Sequence, residues 1–398
     1  MEAVTVLSEN FEKTHASQIN TISDYFDWRG DLSFEASPIN EVDCLIFCQL
    51  SYLDYSSIVS ESFAKPMRLK DAAAMFENAP DFEQRKKTSE TMGKDNFPFL
   101  KEAAATNRFG GVLVSGFSSH TDDITEKQFA AITFEFAKNN AFIAFRGTDG
   151  TIVGWKEDFN MAFMSPVPAQ KDAVAYLSAC ANADKKRKLI VGGHSKGGNL
   201  AIYSSVFCDA KTQKQITKVY NFDGPGFEQN ILQSAEFTAM LPKLTTYLPQ
   251  SSVVGILFNH REECIEIRSS ESMGIFQHDP FTWFVTAKAF VKVDGLTNDS
   301  KFIDSTIKDW LEQLDNKQRE MFIDTLFEVL YATEARTLSD LSDNWLKKSS
   351  AVIKALARIE PETRSAVLKI FKQLLSSAKQ NIPLFSEISD DFKKKWNI

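Results

Sequence analysis

Long apolar runs are missing from this chain. No stretch approaches the roughly 20 residues that span a bilayer, so no transmembrane segment is expected. Positive charge is short as well. Against 53 Asp and Glu stand 45 Lys and Arg, a net charge of −8, which leaves no basic stripe for a phosphate backbone and argues against nucleic acid as a partner. Residues 1–10 hold Glu2 and Glu9 where a secretory signal needs basic residues, and no apolar segment follows, so a cytoplasmic chain is expected. The five cysteines, Cys44, Cys48, Cys180, Cys208 and Cys264, are odd in number and scattered. They fit reduced thiols packed as small hydrophobes, not a disulfide framework. No Gly-x-Gly-x-x-Gly or phosphate-loop pattern occurs, and neither His120–Asp123 nor His260–Cys264 has the ligand spacing of a recognised metal site. No cofactor or metal is expected.

Phenylalanine is what the chain has in excess: 33 residues, which predict a core with a large aromatic share. At 398 residues the chain exceeds one small core, so one large domain with an appended element is expected. Residues 1–30 read as an irregular N-terminal segment. Apolar spacing from Asn40 to Tyr55 predicts an amphipathic helix, and residues 31–108 read as a mainly helical entry. From Gly111 the pattern turns to strands, at Gly111–Phe117, Phe129–Phe136 and Ala141–Phe145. The turn signal Lys138-Asn139-Asn140 joins the last two as a hairpin. Further strands are predicted at Lys188–Val191, Thr217–Phe222, Leu244–Tyr247, Val253–Phe258 and Glu263–Arg268, with helices between them at Lys171–Ala183, Lys196–Cys208 and Glu228–Ser234. Such alternation argues for an α/β domain over 31–298, with a mostly parallel sheet flanked by helices. After residue 298 glycine disappears and helical spacing returns, so 299–398 reads as a helical C-terminal section.

The sharpest motif is Gly193-His194-Ser195-Lys196-Gly197, between an apolar strand and a helix. The pentapeptide alone arises by chance in about one chain of this length in ten. Its strand–turn–helix context makes it a nucleophile elbow. The serine sits on a strained turn, the flanking glycines admit a close approach of strand and helix, and the helix start offers amides to an oxyanion. The bland alternative is a Gly-rich structural turn. His194 is read as packing or orienting, and Gly198 as allowing close helix packing.

Phe145-Arg146-Gly147-Thr148, some fifty residues before this elbow, resembles the class 3 (fungal triglyceride) lipase branch of the α/β-hydrolases over about residues 110–290. The string from Phe145 to Met161, with Gln128–Ala131, Asn221–Gly226 and Gln277–Phe281, is similar to a bacterial group of α/β-hydrolases, the Mbeg-like proteins, over about residues 25–390. The resemblance implies an α/β-hydrolase fold and an oxyanion hole made by the amides of Thr148 and Lys196. The alternative for Thr148 is a hydroxyl capping its own loop.

Of five histidines, only His260 and His278 follow the last core strands, where this fold places its base. His278, in the turn Gln277-His278-Asp279-Pro280, is favoured. His260 reads as an exposed hairpin tip. The lipases carry the acid ahead of a Val-Pro pair, but the matching Gln250-Ser251-Ser252-Val253-Val254 has no carboxylate. Asp223, at the end of the strand after the nucleophile strand, is the best replacement, with Asp279 as the alternative. Asp223 as a mere helix cap is the bland reading. An Asp158–Arg146 ion pair is expected to brace the oxyanion loop, and Lys156 and Glu157 to lie on a solvated face. Gly224–Pro242 and Pro280–Val293 are candidate lids.

Together these readings predict a serine hydrolase: Ser195 attacks an ester, His278 takes its proton and Asp223 orients His278. A small-molecule or lipid-like ester is the substrate class the resemblance implies. A catalytically inactive hydrolase-like scaffold, and a thioesterase or peptidase on the same triad, are the competing readings.

Overall fold

Eight strands run through one sheet in sequence order, β1 Met67–Arg68, β2 Leu113–Asp122, β3 Lys127–Ala137, β4 Asn140–Phe145, β5 Lys188–His194, β6 Ile216–Phe222, β7 Leu244–Pro249 and β8 Glu263–Ile267. The computed structural model describes residues 20–89, 94–149, 152–161, 164–272, 276–298, 300–301 and the single positions 317, 319, 320, 324 and 327. The helical section expected over 299–398 therefore lies almost wholly outside the described residues, as does most of the 1–30 segment. Among the described residues no helix is long and apolar enough to cross a membrane.

Strands β1 to β4 pair antiparallel, and β4 to β8 pair parallel. The expected hairpin is β3–β4. Its turn bends at Asn139, which takes a left-handed φ of 59°, a conformation asparagine tolerates better than most residues. The helices in chain order are α1 Tyr25–Arg29, α2 Glu41–Leu50, α3 Leu69–Glu77, α4 Phe82–Thr88, α5 Phe97–Ala105, α6 Ile152–Asn160, α7 Pro168–Ala183, α8 Lys196–Phe207, α9 Ala210–Gln215, α10 Gln229–Leu232 and α11 Ala235–Met240.

The sheet order dictates where these helices go. Parallel crossovers are almost always right-handed, so strands laid down one after another in one direction put every crossover helix on one face. Accordingly Ala173, Leu177 and Cys180 of α7, Leu200 and Val206 of α8 and Phe237 of α11 share a core with Ala141, Ile143 and Phe145 of β4. The alternate β4 residues, Phe142 and Ala144, face a second core. Among the described residues that face is covered by the helical entry, with Leu45, Phe47, Phe76 and Leu100, and by Trp283 and Phe290, all in one core with Phe134, Phe222 and Tyr247. Phe47 of α2 stacks on Phe134 with ring centroids 4.7 Å apart.

Three expectations change. Helix α2 is not amphipathic in effect: Val42 to Leu50 are all buried, and its Asp43 is paired with the buried Arg108 at 2.6 Å. No strand forms at Val253–Phe258, because that stretch folds as a loop whose polar groups serve other elements. The Leu257 carbonyl takes the Gly226 amide at 2.8 Å, and the Gly255 amide turns to Asp223. The candidate lids turn aromatic side chains inward, with Phe227 and Phe237 in the α8 core and Trp283 and Phe290 in the other.

Candidate active site

Strand β5 ends at His194 and α8 begins at Lys196, so Ser195 alone makes the turn between them, at φ 59° and ψ −135°. A residue other than glycine held in such a region costs about 1–3 kcal/mol, which the surroundings must enforce. The Ser195 amide donates to the Phe222 carbonyl at 2.9 Å, and the Ser195 carbonyl accepts from the Gly198 amide at 2.9 Å. The flanking glycines are sterically required. A Cβ on Gly193 would stand 2.1 Å from the Gly197 carbonyl carbon, and one on Gly197 would stand 2.1 Å from the Phe145 carbonyl oxygen. At Gly198 the close neighbour is a side chain, since a Cβ there would meet Asn221 Oδ1 at 1.9 Å. Asn221 in turn accepts from the Gly224 amide at 2.8 Å and donates to its carbonyl at 3.0 Å, shaping the turn that carries Asp223.

Asp223 follows β6 with a left-handed φ of 53°, and its amide donates to the Tyr247 carbonyl at 2.9 Å. Its wholly buried carboxylate accepts from His278 Nδ1 at 2.7 Å on one oxygen. The other oxygen accepts from Ser252 Oγ at 2.5 Å and from the Gly255 amide at 3.2 Å. Asp279, the alternative acid, instead bonds Lys94 and accepts from the Phe281 amide at 3.1 Å. Ser252 was not foreseen as a site residue. It lies in the very segment that lacks the lipase carboxylate, and that gap was the available signal.

His278 stacks against His194, the residue before Ser195, with ring centroids 4.5 Å apart. The His194 ring bridges the Tyr52 hydroxyl, 3.0 Å from Nδ1, and the His278 carbonyl, 2.8 Å from Nε2. A carbonyl only accepts, so Nε2 carries the hydrogen and Nδ1 accepts from Tyr52. Burial, then the neighbouring His278, hold His194 well below the ordinary histidine value, so this imidazole is neutral. His260 is no exposed tip. Its Nδ1 lies 2.7 Å from the Glu262 carboxylate and its Nε2 2.6 Å from the Gly255 carbonyl, bracing the loop around Asp223. Ligand atoms of His260, Glu262 and Cys264 lie within 4.8 Å of one another. Both ring nitrogens and the Glu262 carboxylate are, however, already engaged by the chain, the latter also by Thr246 at 2.6 Å.

The loop after β4 runs past the nucleophile. A Cβ on Gly147 would stand 3.0 Å from the Ser195 Cβ and 2.2 Å from the Tyr52 hydroxyl. The next residue, Thr148, gives its hydroxyl to the Asp158 carboxylate. Asp158 does not pair with Arg146, which meets Asp149 at 3.4 Å. Burial pushes the Asp158 carboxyl up to about 6, against the pull of the Lys196 ammonium and the Thr148 hydrogen bond. Nor is the neighbouring face solvated. Glu157 is fully buried, accepting from the amides of Gln128 at 3.0 Å and Ala169 at 2.8 Å, and Lys156 is nearly buried against Glu126 at 2.6 Å. Adjacent opposite charges at Lys156 and Glu157 point to a wet surface, whereas Glu126, Gln128 of β3 and the start of α7 supply the partners that let them go inside.

The family model described as Mbeg1-like matches residues 103–328. Among solved structures, lipase II from Rhizopus niveus is similar at 15% identity with a TM-score of 0.31, covering 39% of this chain and 67% of that one. The lipase of the Rhizomucor miehei lipase propeptide complex is similar at 16% identity with a TM-score of 0.30, covering 40% and 57%. M37 lipase is similar at 18% identity with a TM-score of 0.34, covering 54% and 69%. No curated protein matches the chain.

Proposed function

The chain belongs to the Mbeg1-like family, and from that membership and the site geometry we propose that it is a serine hydrolase acting on carboxylic esters through an acyl-enzyme on Ser195. The observation that carries this reading is the buried Asp223–His278 contact of 2.7 Å beside a serine held at a strained strand-to-helix turn.

Ser195 Oγ attacks the ester carbonyl while His278 Nε2 takes its proton, since Nδ1 is committed to Asp223. The carboxylate fixes that tautomer and stabilises the imidazolium formed. The tetrahedral oxyanion is received by the amides of Thr148 and Lys196, and losing one such donor costs about 2.7–4 kcal/mol of activation energy. The imidazolium then gives its proton to the departing alcohol. Water, deprotonated by the same ring, releases the acid from Ser195. Small-molecule or lipid-like esters are the substrate class that the lipase resemblance of the Phe145–Thr148 and elbow motifs suggests.

A fluorophosphonate probe tests the reading. The wild type is expected to be labelled and to hydrolyse p-nitrophenyl butyrate, and Ser195→Ala to do neither. Equal labelling of the two proteins would overturn it and leave the inactive-scaffold alternative.

A further inference from the structure

The side chain of Lys196 has no part in the chemistry just described, which uses only its amide. Its ammonium nevertheless has no solvent exposure, and it donates to the Gln128 carbonyl at 2.8 Å, to Gln128 Oε1 at 2.6 Å and to Glu157 Oε2 at 3.1 Å. Gln128 belongs to β3, Glu157 to α6 and Lys196 to α8, so one nitrogen joins three elements. Two of them reach the loop that carries Thr148: β3 accepts the Arg146 amide on Ala130 at 2.9 Å, and α6 holds the Thr148 hydroxyl through Asp158. Resting on the hydrolase reading above, we infer that the Lys196 side chain is a positioning residue that locks the two oxyanion donors, its own amide and that of Thr148, into one unit.

Stability alone does not call for an ion pair there, since replacing both partners of a buried pair by well-packed apolar residues is often neutral. Removing the lysine alone would leave the buried Glu157 uncompensated. An apolar side chain also supplies no charge for Asp158. Asp158 Oδ1 is buried without a hydrogen-bond partner and lies 3.7 Å from Lys196 Nζ. The other groups acting on Asp158 are the Thr148 hydroxyl, which favours the carboxylate, and the acids Glu157 and Asp149, which oppose it. Lys196 thus favours, against burial, the charged form of Asp158, which is the stronger acceptor for the Thr148 hydroxyl.

The test compares wild type, Lys196→Met and Asp158→Asn in p-nitrophenyl butyrate hydrolysis between about pH 5 and 9, with thermal unfolding and fluorophosphonate labelling run alongside. For Lys196→Met, kcat is expected to fall on the order of tenfold to a hundredfold while KM stays within about twofold. Its acidic limb is expected to move to higher pH, because Asp158 has lost the cation that holds it charged. Asp158→Asn is expected to lower kcat similarly and to lose the part of the limb that Asp158 contributes. In the double variant the two losses should not add. A folded, labelled Lys196→Met with wild-type kcat and an unmoved limb overturns the inference while leaving the hydrolase reading intact. If Lys196→Met does not fold, an Asp158→Asn with the wild-type rate and limb overturns it equally. A wild type that is neither labelled nor active overturns both.

Discussion

At the residue scale the site turns on how a carboxylate is held in an unusual place. Asp223 is buried with three donors, His278 Nδ1, Ser252 Oγ and the Gly255 amide. Hydrogen bonds to a charged group contribute about 1.5–3 kcal/mol each. Ser252→Ala removes one and frees the carboxylate to turn from the imidazole, so kcat/KM for p-nitrophenyl butyrate should fall on the order of tenfold to a hundredfold. A variant with wild-type kcat/KM would show that Ser252 does not steady Asp223. That 250–254 carries no carboxylate and that Asp223 stands at a strand end were legible, because carboxylates and strand ends are visible in a sequence. The partnership of Ser252 was not, because it depends on a left-handed Asp223 and on a loop whose apolar run Val253–Phe258 reads as a strand. Glu157 misled in the same way: its amide partners lie 29 and 12 positions away.

At the element scale α2 shows what spacing reveals and what it hides. Its start is plain in the sequence, and the structure realises it as a capping box. Asn40 accepts from the amides of Val42 at 2.9 Å and Asp43 at 3.3 Å, and Asp43 takes the Asn40 amide at 2.9 Å. What the spacing hides is that the turn after this helix delivers Tyr52 to His194, 142 positions away. Tyr52→Phe leaves Nδ1 of a buried ring unpaired, an expected loss of about 1–3 kcal/mol read as a lower urea midpoint. The ring also makes stability depend on pH. Its folded pKa lies below the unfolded value of about 6.5, so the unfolded chain takes up the proton first and stability declines as pH falls through that value. Urea unfolding at about pH 7.5 and 5.5 should show this decline, with a slope of up to about 1.4 kcal/mol per pH unit from one group. His194→Gln, which cannot titrate, should flatten it, and an unchanged slope in that variant would assign the effect to other groups.

For the whole molecule, strand order decides what counts as the domain. The family match begins at residue 103, after α1 to α4 and most of α5. On the face away from the crossover helices that span supplies Trp283, Val285 and Phe290 beside β6 and β7, while residues before 103 pack on β3 and β4. Removing residues 1–102 would bare Phe134 and Phe142, both now packed against the Phe47 ring, and strip Leu45, Phe76 and Leu100 from the same core. Contiguous exposed apolar surface of that kind drives association. It would also take away Tyr52, and with it the bond that orients His194 against the His278 carbonyl. The truncated chain is therefore expected to aggregate on size-exclusion chromatography and to resist fluorophosphonate labelling even where some stays in solution. A monodisperse, labelled truncation would show that the helical entry is an accessory. Its failure would show that the entry is part of the domain's core, a role set by sheet topology that no local stretch of the first hundred residues announces.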